Sequence, residues 1–138
     1  EALLRGLHVL VVDDNEINLM IASEMLSSAG ARVDTAEDGQ DAVEQVRARA
    51  VDLVLMDMQM PVMDGLQATR LIRQMPGRQG LPVLAMTANA MAADRERCLQ
   101  AGMDEVLTKP IDPAVLVDTV AHWARRSRTA GSTGAPAG

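Results

Sequence analysis

Short aliphatic runs alternate with longer amphipathic ones along this chain. Runs rich in Val, Leu and Met occur at 8–12 (HVLVV), 31–36 (ARVDTA), 52–56 (DLVLM), 82–86 (PVLAM) and 105–108 (EVLT). Each has the length and composition of a strand. Between them, at roughly 16–29, 39–49, 65–75, 91–101 and 113–126, apolar positions recur at helical spacing. Strict alternation of this kind predicts a doubly wound α/β fold, in which a parallel sheet is covered by helices on both faces.

Boundary residues agree with the pattern. Gly30 and Gly102 follow helical runs, where a left-handed residue closes a helix. Asp38-Gly39 reads as a turn before the second helix, and Asp112-Pro113 as a cap with Pro in the first helical position. Residues 76–82 (PGRQGLP) read as a loop. On the first helix, Ile21, Ala22, Met25, Leu26 and Ala29 share one arc at 100° per residue and are expected to face the sheet, leaving Ile17 and Met20 outside. From Ser127 onward Ser, Thr, Gly, Ala and Pro take over, so residues 1–126 are expected to form the domain and 127–138 a disordered tail or linker.

The 138 residues suit one domain with a single core, and no apolar run is long enough to span a membrane. One cysteine, Cys98, excludes a disulfide framework, and with only His8 and His122 it also excludes the common zinc patterns. A net charge of −6 without a basic stripe argues against direct binding to nucleic acid. There is no phosphate-binding loop of the G-x-x-x-x-G-K-[ST] type and no strand followed by G-x-G-x-x-G. The core lacks Phe and Tyr, so methionine fills it. Of the basic residues only Lys109 is lysine and the rest are Arg, which singles out a position suited to a compact ammonium.

In a doubly wound sheet ligands bind beyond the carboxyl ends of the strands. Those ends carry Asp13-Asp14, Asp57, Thr87 and Lys109-Pro110, whereas the second strand ends in the unreactive Thr35-Ala36. N-capping accounts for a single Asp, but three converging carboxylates need a cation. An all-oxygen donor set points to Mg²⁺. A carboxylate beside such a metal is also a nucleophile for phosphorus, with Lys109 and Thr87 able to hold phosphoryl oxygens.

The stretches VVDDNEIN, VLMDMQMPVMDG, AMTANA and LTKP resemble the receiver domains of two-component response regulators over about residues 7–126. The resemblance implies a flavodoxin-like sheet order 2-1-3-4-5 and Asp57 as phosphoacceptor. It further implies Mg²⁺ held by Asp14, Asp57 and the Gln59 carbonyl, with Asp13 acting through water. Thr87 and Lys109 match the family's switch hydroxyl and phosphate-binding lysine, Gln59 and Asn89 its lifetime-tuning positions, and Lys109–Pro110 its cis bond. Val106 departs from the pattern, because it stands where the family carries an aromatic switch residue; readout through phosphotransfer partners is therefore expected over readout through a rotating ring.

The motif wording is similar to receivers of hybrid sensor histidine kinases, and a chain that starts at Glu1 and ends in a Ser/Gly/Pro-rich stretch agrees with a domain from such a parent. The implied partners are a histidine kinase or a histidine phosphotransfer domain, docking on Ile17 and Met20. The implied location is the cytoplasm, with the parent anchored in the inner membrane. Such a domain catalyses its own phosphorylation and dephosphorylation without being a turnover enzyme. Two alternatives stay open on the residues: a phosphatase of the haloacid dehalogenase type, whose second Asp is replaced here by Gln59, and a degenerate receiver acting only as an interaction module. Outside the cluster, Asp64 and Gly65 read as a turn, Trp123 and Leu116 as core, and Cys98 as a buried or half-buried helix residue, while His122, on a helix, lacks the kinase or phosphotransfer context of a phosphorylated histidine.

Overall fold

The computed structural model describes residues 3–58, 60, 62–88, 92–109 and 111–125 in full, and the backbone of the last helix as far as Ala137. Its elements run β1 (His8–Val12), α1 (Glu16–Ser28), β2 (Arg32–Ala36), α2 (Gly39–Ala48), β3 (Leu53–Asp57), α3 (Gly65–Arg73), β4 (Val83–Thr87), α4 (Ala92–Ala101), β5 (Glu105–Thr108) and α5 (Pro113–Ala137). The five strands are parallel in the order β2-β1-β3-β4-β5. The chain winds outward from β1 in both directions, so the order reverses between β1 and β3 and a crevice opens at their carboxyl ends.

Burial follows from this topology. β3 and β4 are covered on both sides and buried along their whole length, which explains their unbroken apolar sequences. Val9, Val11, Leu53, Leu55, Leu84 and Leu107 face α1 and α5; Leu10, Val12, Val54, Met56 and Ala85 face α2, α3 and α4. Cys98 lies fully buried in the second layer, and Leu116 in the first.

Three helices begin where a side chain accepts from otherwise unpaired backbone N–H groups. Asn15 caps α1, Asp38 caps α2 and Asp64 caps α3. Asp112 accepts from Ala114 N at 2.8 Å at the start of α5, as the Asp-Pro pair predicts. Capping of α1 thus falls to Asn15, and Asp13 and Asp14 are left for other work. Gly30 (φ 102°) and Gly102 (φ 105°) take the left-handed conformation expected after a helix.

Two expectations need correction. Ile21 is 46% exposed, and the sheet-facing positions of α1 are Leu19, Ala22 and Leu26. That stripe follows the i, i+3, i+7 rows of a helix lying against the sheet, and Ile21 falls on its shoulder toward α5. The last helix is also longer than the spacing over 113–126 predicts.

Candidate functional site

The strand ends converge as the topology requires. Asp13 follows β1, Asp57 and Thr87 are the last residues of β3 and β4, and Lys109 follows β5. Backbone bonds beyond the strands hold this edge in register: Asp13 N donates to Ala36 O at 3.1 Å, Met58 N to Met86 O at 3.1 Å, and Lys109 N to Thr87 O at 2.7 Å.

Asp13 is 1% exposed and Asp57 7%, while Asp14 is exposed at the mouth. One carboxylate oxygen from each of the three lies within 4.8 Å of the other two. The Lys109 ammonium sits between two of them, 3.0 Å from Asp13 Oδ2 and 3.5 Å from Asp57 Oδ1. Burial works to lower its pKa, but the hydrogen bond to Asp13 and the charges of Asp57 and Asp13 outweigh burial and hold it above the ordinary lysine value. The other oxygen of Asp13 accepts from Asn15 N at 2.9 Å, which fixes that carboxylate. One ammonium against three carboxylates leaves the cleft negative. An all-carboxylate donor set open to solvent on the Asp14 side fits a hard divalent cation such as Mg²⁺, which keeps several waters.

Gly65 plays a part that its turn reading did not reveal. A Cβ there would lie 2.2 Å from Asp57 O and 2.9 Å from Met56 Cγ, while Gly65 N donates to Met58 O at 3.0 Å. The start of α3 therefore rests directly on the backbone of the strand that presents Asp57. Gly65→Ala is expected to destabilise the domain by about 2 kcal/mol through overpacking against backbone that cannot swing aside. It should also slow labelling of Asp57, as measured by urea unfolding together with intact mass.

Thr87 is buried at the same edge, and Ile17 and Met20 are exposed on α1 beside it. Val106 is buried among the residues facing α4. Trp123 is half-buried and donates to Glu105. Gln59, Asn89 and Pro110, with the implied carbonyl ligand, lifetime-tuning and cis-bond roles, lie outside the described residues.

The profile of the family described as response regulator receiver domain matches residues 9–121. The chain belongs to that family. The receiver is 47% identical over 122 residues to the sensor protein GacS of Pseudomonas syringae pv. syringae, covering 86% of this chain and 14% of the relative. It is 45% identical over 120 residues to the sensor histidine kinase RcsC of Salmonella typhimurium, covering 87% and 12%. It thus spans only about an eighth of the length of these curated relatives.

Among solved structures, the receiver domain of sensor histidine kinase PA1611 from Pseudomonas aeruginosa PAO1, with a magnesium ion coordinated in its active site cleft, superposes with a TM-score of 0.81 at 42% identity, covering 86% of this chain and 98% of that one. The receiver domain of Ssk1, crystallised with the histidine phosphotransfer protein Ypd1 of Saccharomyces cerevisiae, gives a TM-score of 0.81 at 28% identity, covering 88% and 90%.

Two cavities flank the receiver's acidic cleft. A largely apolar one of about 360 Å³ between α1 and α5 reaches Asp13 and Lys109 past Ile21, Met25 and Met86. This is where the exposed flank of Ile21 points. A polar one of about 410 Å³ on the α4 side is lined by Met58, Asp64, Thr87 and Arg97 among others.

Proposed function

We propose that this receiver takes a phosphoryl group from a phosphohistidine onto Asp57 and then relays or hydrolyses it. The observation that carries the reading is the Asp57 carboxylate at a strand end, with the Lys109 ammonium 3.5 Å away and two further carboxylates beside it. An oxygen of Asp57 attacks phosphorus, the phosphorus–nitrogen bond breaks, and the imidazole leaves with a proton. Asp57 becomes an acyl phosphate. Lys109 is placed to draw from Asp57 toward a phosphoryl oxygen, and Thr87 to donate its hydroxyl to another. Asp14, Asp57 and the Gln59 carbonyl would hold Mg²⁺, with Asp13 acting through water, and the ion when bound would neutralise charge on the transferring group.

Gln59 and Asn89 are assigned the tuning of phosphoryl lifetime. Glutamine at 59 supplies no second carboxylate for the dehalogenase-type phosphatase, and a degenerate receiver would have lost an acidic residue, Thr87 or Lys109. Ile17 and Met20 form a docking face for a histidine kinase or histidine phosphotransfer domain. Likeness to segments of sensor kinases supports a hybrid kinase as the parent and a cytoplasmic place for this domain, and residues 127–138 would then act as a linker within that parent. No helix among the described residues is long and apolar enough to cross a membrane.

Incubation with acetyl phosphate and Mg²⁺ should add one phosphoryl group to the intact mass. Asp57→Ala and metal-free samples should show no adduct. An adduct that persists in Asp57→Ala, or no adduct and no phosphate release in the unaltered protein, sinks the reading.

A further inference from the structure

Val62, in the loop between β3 and α3, is the one non-glycine residue with positive φ (67°) among those described. A β-branched side chain is strained there. Burial does not offset the strain, because Val62 is 77% exposed, the most exposed of the large hydrophobic residues described.

The loop is tied on both sides of this tip. Gly65 N donates to Met58 O, and Gly39 N donates to Met63 O at 3.0 Å. The position of Val62 is thus set by the fold. It stands on the α2–α3 side of the carboxyl edge, while Ile17 and Met20 stand exposed on the α1 side of the same edge. Asp13, Asp14 and Asp57 lie between the two, and Glu16, Asp38 and Asp64 add negative charge to the surrounding turns.

We propose that Val62 is the second apolar contact of the phosphodonor's docking surface, opposite Ile17 and Met20 across the acidic cleft. The inference rests on the phosphoacceptor reading of Asp57. The occupant is a protein helix carrying the phosphohistidine, apolar on either side of it and basic at its margins, since an acidic rim around apolar contacts complements that pattern. Strain at an exposed apolar residue is then retained for what the residue touches in the complex.

The experiment measures three quantities for the unaltered chain, Val62→Gly, Val62→Asn and Ile17→Ala. These are the urea midpoint, labelling by acetyl phosphate, and phosphotransfer from phosphorylated Ypd1. Both Val62 variants tolerate positive φ, so the midpoint is expected to hold or rise, and acetyl phosphate labelling to stay within about twofold. Transfer from Ypd1 is expected to fall about tenfold in each, as in Ile17→Ala. Unchanged transfer in the Val62 variants overturns the proposal, as does equal slowing with acetyl phosphate. An unaltered chain that acetyl phosphate fails to label overturns the Asp57 reading instead, and the inference with it.

Discussion

Lys109→Ala is expected to lower the stability of the metal-free protein by about 2–3 kcal/mol and to slow acetyl phosphate labelling of Asp57 about a hundredfold. At an effective dielectric near 20, an ammonium 3.0–3.5 Å from a carboxylate is attracted by roughly 5 kcal/mol, while two carboxylates whose oxygens lie within 4.8 Å of each other repel by at least roughly 3.5 kcal/mol. Desolvating the lysine cancels part of that attraction, which is why the net loss is smaller than the Coulomb sum. The rest of the loss comes from Asp13, which would stay buried with its charge uncompensated.

The pH dependence has a definite sign. Because the folded protein holds Lys109 above its ordinary value, the lysine's contribution is complete at neutral pH and up to the unfolded pKa of about 10.4. It is lost as pH rises through the folded value, so the unaltered protein and Lys109→Ala should converge only in strong alkali. Millimolar Mg²⁺ should stabilise the variant more than the parent, since the cleft then lacks its own cation. Urea unfolding across pH, with and without Mg²⁺, reads all three effects. Equal stability of the two proteins at neutral pH without metal would refute the account.

Much of this site was legible in the sequence because chemistry in a doubly wound fold sits at strand ends, and strand ends can be counted. Asp13, Asp14, Asp57, Thr87 and Lys109 are all placed that way. What stayed hidden depends on distances between segments far apart in the chain. The arc containing Ile21 satisfied helical periodicity, but which stripe meets the sheet is set by how α1 lies on β1, and Leu19 took the inner place. Gly65 looked like an ordinary turn glycine, and only the approach of α3 to Asp57 O shows that no Cβ fits. Val62 is unremarkable by composition, and its backbone angle is the whole signal.

Arg73 is the strongest case of such a hidden residue, and Arg73→Ala is expected to cost about 3–4 kcal/mol of stability while leaving labelling of Asp57 in the folded protein unchanged. Nothing in its surroundings in the sequence marks it off from the chain's other arginines. In the structure its Nε and Nη2 both donate to Gly102 O, at 2.9 and 2.7 Å, and Nη1 donates to Leu81 O at 2.5 Å and Arg78 O at 3.1 Å. Nη2 also reaches Asp104 Oδ2 at 3.1 Å, the same oxygen that accepts from Val83 N. One guanidinium thereby ties the end of α3 to the starts of β4 and β5, at the edge of the sheet opposite the acidic cleft. Truncation would take a donor from three carbonyls and a carboxylate in a half-buried site, each loss a penalty of about 1 kcal/mol. Arg73→Lys should recover little, because a single ammonium cannot reproduce the planar fork. Gly102 belongs to the same device, since a Cβ there would lie 2.9 Å from Arg73 Cγ and its φ of 105° already disfavours other residues. Urea unfolding of Arg73→Ala, Arg73→Lys and Gly102→Ala, paired with acetyl phosphate labelling, separates this residue from Lys109. Loss of labelling in step with stability, in samples that remain folded, would mean that the two edges of the sheet are coupled and that the division drawn between them is wrong.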